Sequence, residues 1–71
     1  MEIIVKARFN AGKQRIEKYG QDQYIAYVQF PEDKHALDVL RIVLSRYLGV
    51  SLRRVQFKCR NPMEDYVFVL S

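Results

Sequence analysis

His35 and Cys59 are the only histidine and the only cysteine in this chain of 71 residues. Any nucleophile–base pair of the cysteine–histidine kind must therefore use both, with the thiol within hydrogen-bond reach of the imidazole. The pattern around Cys59 argues for another role. It alternates with Val55 and Phe57 along a strand-like run, where a lone thiol acts as a small buried hydrophobe. Carboxylates are paired twice. Glu32-Asp33 stands ahead of a helical pattern, where negative charge complements the positive end of the helix dipole, and Glu64-Asp65 reads as a solvated loop. Three isolated glycines form no phosphate-cradling loop, and no histidine, cysteine or carboxylate cluster has metal-ligand spacing. These residues predict no catalysis, no metal and no small-molecule cofactor.

Cations and aromatics offer more. Lys6 and Arg8 alternate with Ile3, Val5, Ala7 and Phe9, so if the apolar set faces a core, the cations face away. The same parity exposes Tyr27 and Gln29 on a second strand and Arg54, Gln56 and Lys58 on a third. Lysine and arginine can neutralise phosphates, and a tyrosine ring can stack an unpaired base. Lys6, Arg8, Tyr27, Arg54 and Lys58 are thus the candidate nucleic-acid-binding set. They suit single-stranded RNA, because no helix presents a basic recognition face. Alternating Lys, Arg and Gln is also how the wet face of an antiparallel sheet is ordinarily written. An apolar strip of Ile4, Ile25 and Tyr27 on the same face, with Ile42 on the outer side of the helix, offers a protein partner or self-association instead.

These residues need elements to position them. Glu2 to Phe9 has period-two alternation, the mark of a half-buried strand. Asn10-Ala11-Gly12 supplies a turn, with glycine free to take a positive φ. Lys13 to Lys18 holds only Ile16 among charges and suits an edge strand. Tyr24 to Phe30 is aromatic and β-branched, and Pro31 ends it. A helix is predicted over about 34–48, with Asp33 as N-cap and an apolar stripe of Ala36, Leu37, Leu40, Val43, Leu44, Tyr47 and Leu48. Lys34, Asp38, Arg41 and Ser45 fall opposite the stripe, Asp38 and Arg41 at ion-pair spacing. Gly49 is the expected left-handed C′ residue, with Val50 packing back. Arg53 to Cys59 and Tyr66 to Leu70 complete the strands, the inward face of the last left open. The order β-β-β-α-β-β predicts an α+β sandwich of two layers, the helix on one face of a mixed or antiparallel sheet.

The chain is 49% hydrophobic and 28% charged, which places it among globular domains and not among disordered segments. Residues 1–71 are expected to form one domain. The excess of 12 Lys and Arg over 8 Asp and Glu gives +4 and a pI near 9.5, compatible with a nucleic-acid partner without requiring one. A single cysteine excludes an internal disulfide. No apolar run approaches bilayer length, and Glu2 stands where a signal peptide carries positive charge. The expectation is a cytoplasmic protein with no membrane partner.

Three stretches resemble the YggU-like family, also called domain of unknown function 167. They are Val5-Lys6-Ala7-Arg8-Phe9-Asn10-Ala11, Pro31 with Ala36, Leu40, Leu44 and Leu48-Gly49-Val50, and Val55-Gln56-Phe57 with the final strand. The resemblance spans nearly the whole chain and implies a small α+β domain of this element order. The family usually places Gly-Lys-Ala-Asn where Lys34, His35, Ala36 and Leu37 stand here. Arg60 replaces a glycine, Met63-Glu64 a Ser-Arg pair and Tyr66 a lysine. The chain thus resembles a divergent member that lacks most of the polar signature, and Lys6 alone carries over. The resemblance implies a fold and no activity. The resulting expectation is a non-catalytic binding module that contacts RNA through its open sheet face, with a protein-interaction or homodimerisation module as the alternative.

Overall fold

The computed structural model describes residues 1–71. The alternation at the N-terminus forms β1, Glu2–Arg8, which buries Ile3 and Val5 completely. Asn10, not Gly12, takes the left-handed conformation of the following turn, with φ 56°. The polar run after it becomes β2, Arg15–Gly20, and the aromatic segment becomes β3, Gln23–Tyr27. β3 ends earlier than its composition predicts. Beyond it the chain still pairs irregularly, because the turn at Asn10 directs the amides of Asn10 and Ala11 to the Phe30 and Val28 carbonyls.

The helix, α1, spans Ala36–Leu48. Its start corrects the predicted cap. Asp33 Oδ1 accepts the His35 amide at 2.8 Å and its carbonyl accepts that of Ala36, so Asp33 organises the turn ahead of α1. His35 occupies the N-cap without a side-chain bond. The other end follows the prediction. Gly49 has φ 70°, and the amides of both Gly49 and Val50 reach the Ser45 carbonyl, as in a Schellman end.

A 3₁₀ turn, Leu52–Arg54, leads into β4, Val55–Arg60, and a hairpin returns as β5, Tyr66–Leu70. The five strands form one mixed sheet in the order β2-β3-β1-β5-β4. β1 lies parallel to β3 and antiparallel to β5. The element order is β-β-β-α-β-β with one helix, an α+β architecture. No helix is long and apolar enough to cross a membrane.

The core fills the space between α1 and one face of the sheet. Ile3 and Val5 from β1, Tyr24 and Ala26 from β3, and Tyr66 and Phe68 from β5 meet Leu40, Val43 and Leu44. The pairings Ile3↔Phe68 and Val5↔Tyr66 settle the face of the last strand: Tyr66 and Phe68 point to the helix, Val67 away. Arg41 does not pair with Asp38. It donates from Nε to the Val55 carbonyl at 2.6 Å and from its terminal nitrogen to the Leu52 carbonyl at 3.1 Å. This side of α1 therefore packs toward β4, and Ser45, predicted to lie outside, is buried there with its hydroxyl donating to the Ile42 carbonyl. Tyr47, assigned to the apolar stripe, is half exposed.

Candidate functional site

On the sheet face away from α1, the parity of β1 and β3 holds. Arg8 lies opposite Tyr27 and Lys6 opposite Ile25. The five predicted binding residues do not, however, form one free cationic surface. Lys6 Nζ contacts both Asp65 carboxylate oxygens at 3.1 and 3.3 Å. Asp65 is buried, contrary to its expected place in a solvated loop, because the Asn61 side chain gathers the hairpin by accepting the Met63 and Asp65 amides. Lys58 sits in a bulge of β4 between Phe57 and Cys59 and pairs with Glu2. The hydrogen bond to the Glu2 carboxylate, reinforced by its charge, holds the Lys58 pKa above the ordinary lysine value.

Arg54 belongs to the 3₁₀ turn and donates to the Ser71 carbonyl at 2.6 Å. Strand rise puts it roughly 25 Å from Arg8, at the opposite end of the sheet. Tyr27 is half-buried, and the Arg15 guanidinium lies 4.4 Å from its ring centroid. Arg8 alone of the five is exposed without an ion pair or side-chain hydrogen bond. The structure thus brings together Arg8, Tyr27 and an arginine that the sequence reading did not single out. The bulge also turns Cys59 to the open face beside Val67, where it is an exposed free thiol and not a core hydrophobe. His35, which heads α1, belongs to the other layer.

The predicted apolar strip is interrupted. Ile25 lies opposite Lys6, Ile4 opposite Gln23, and Tyr27 opposite Arg8, so none of the three is a direct cross-strand neighbour of another. Val67 on this face is nearly fully buried.

The concave surface of the molecule is on the other side, between α1 and the start of β2. One recess of about 280 Å³ is lined by Ile16, Val43 and Tyr47 with Gln14, Arg15 and Arg46. A second, of about 170 Å³, is lined by Phe30, Val39 and Ile42 and shares Gln14, Val43 and Arg46 with the first. Together they form one groove along α1. Phe30, Ile42 and Tyr47, which line it, are 49%, 39% and 50% exposed. The sequence reading placed Ile42 correctly on the outer side of the helix. It missed Phe30, which looked like a strand residue, and did not single out Arg46.

The chain matches no protein-family model, no curated protein and no solved structure.

Proposed function

We propose that this chain is a non-catalytic binding module whose partner is a segment of another protein, seated in the groove between α1 and β2. One observation carries the reading: three large apolar side chains remain exposed around a concave, largely apolar surface. Single exposed hydrophobes are ordinary on a soluble domain, whereas three gathered around one shallow recess offer a partner a place to bury apolar surface. The open sheet face supports the reading by contrast, since two of its cations are neutralised by carboxylates on the same face. The YggU-like resemblance is consistent with such a module and contributes no site residue.

The row Arg15–Tyr27–Arg8 favours a second reading, RNA contact. Arg8 and Arg15 both lie opposite Tyr27 across three strands, the Arg15 guanidinium over its ring, and arginine planes can themselves stack on bases. The row is short, and Glu17 lies within 3.5 Å of Arg15 and offsets part of its charge.

Backbone amide shifts of the ¹⁵N-labelled chain separate the two readings. An apolar anion such as anilinonaphthalene sulfonate should perturb Ile16, Ile42 and Tyr47, and Ile42→Asp should abolish the effect. A single-stranded oligouridylate should perturb at most the Arg8–Arg15 row, and only at low salt. Absence of any response in the groove would remove the first reading. Micromolar, salt-sensitive RNA binding lost in Arg8→Ala/Arg15→Ala would establish the second.

A further inference from the structure

The charges around the groove say what kind of segment fits it, an inference that rests on the groove being the binding surface. Its lining includes two arginines and no carboxylate. The Arg15 guanidinium is engaged on the opposite sheet face, over Tyr27 and beside Glu17, which leaves Arg46 as the groove's cation. Arg46 is exposed, makes no ion pair and lines both recesses. Asp38, the only carboxylate of α1, lies two turns earlier, about 12 Å along the axis. The recesses themselves are offset by about one helical turn, roughly 5 Å, and meet at Gln14, Val43 and Arg46, which line both.

We infer that the groove binds a protein segment in which a carboxylate is bracketed by two apolar side chains. One apolar side chain fills the recess bounded by Phe30, Val39 and Ile42. The other fills the recess bounded by Ile16 and Tyr47. The carboxylate between them meets the Arg46 guanidinium and supplies the anion that the chain itself does not place there. Gln14, which also lines both recesses, can donate from its amide to a backbone carbonyl of the segment. Apolar burial provides affinity in this arrangement, while the charge selects the partner. A basic segment of the same shape meets an unpaired arginine and is rejected.

A random dodecapeptide library displayed on phage and selected against the wild-type chain tests this. The selected peptides should carry Asp or Glu between two apolar positions. Their affinity should fall about tenfold in Arg46→Glu, stay close to wild type in Arg46→Lys, and be lost in Ile42→Asp. Circular dichroism verifies that each variant is folded. Selected peptides that need Ile42 but lack the acid, or that bind Arg46→Glu as tightly, would overturn the inference and leave the groove reading standing. No selection, or binding indifferent to Ile42→Asp, would remove both. A dimer in sedimentation equilibrium that dissociates in Ile42→Asp would assign the groove to a second copy of this chain and overturn the assignment to a partner.

Discussion

Replacing Lys6 by methionine should destabilise the fold whether or not any ligand is present. Methionine keeps most of the stem volume that covers the sheet, so the perturbation isolates the charge. The Asp65 side chain is 11% exposed and that of Lys6 27%. Without its cation, Asp65 is left as a nearly buried carboxylate. Breaking a fully buried pair by removing one partner costs about 3–5 kcal/mol. Lys6 still reaches water, and the resulting screening lowers the expected cost to about 2 kcal/mol. For a domain of this size each kcal/mol moves the thermal midpoint by about 4–8 °C, so the drop should be about 8–16 °C. Urea and thermal unfolding followed by circular dichroism measure it. Lys6→Met/Asp65→Asn should recover about 1–2 kcal/mol relative to the sum of the single changes, because it removes both charges together. A Lys6→Met variant within about 0.5 kcal/mol of wild type, the range of an inert surface change, or strict additivity in the double variant, would refute the argument that Lys6 serves Asp65.

Other consequences concern the frame around the groove. Arg41→Ala removes two charge-assisted bonds from α1 to the carbonyls of Leu52 and Val55 and should cost about 2 kcal/mol in urea unfolding. A Cβ at Gly49 would meet no atom within 4 Å, so Gly49→Ala should cost only the backbone strain of its φ of 70°, about 1–2 kcal/mol, and Gly49→Asn less. Alkaline pH should weaken the fold. Burial first, and then the hydrogen bond to Glu32, holds the Tyr66 phenol above its ordinary 10.0. Below that ordinary value both folded and unfolded chains keep the proton and the stabilisation is complete. As pH climbs through the raised value it is lost. Lys58, raised by Glu2, acts in the same direction. Thermal midpoints between neutral and strongly alkaline pH should therefore fall more steeply for wild type than for Tyr66→Phe, and equal slopes would contradict this.

Much of the frame was legible because local signals agreed. Pro31, the apolar spacing from Ala36 to Leu48 and Gly49 bounded the helix to within two residues. Alternation in Glu2–Arg8 assigned both faces of the central strand. Cross-strand register was not legible, and the errors follow from that. Nothing local in Arg15–Gly20 says that Arg15 lies opposite Tyr27. Nothing local in Val55–Arg60 marks the bulge that turns Cys59 outward. Asp65 looked solvated because the Asn61 turn that buries it, and the lysine 59 positions earlier that pairs with it, are set by the pairing of β5 with β1. The groove is tertiary in the same way: Gln14, Phe30 and Arg46 come from three segments, and only packing places them together.

The proposed binding surface is on the helix side of the sheet. Amide shift mapping of the ¹⁵N-labelled chain, titrated with a peptide selected from the display library, tests it most directly. The perturbed amides should cluster on Gln14–Ile16, Phe30 and Val39–Tyr47, and Ile42→Asp should abolish the shifts without lowering the thermal midpoint. Perturbations concentrated instead on Lys6, Arg8, Tyr27 and Lys58 would rule out the groove and return the function to the open sheet face.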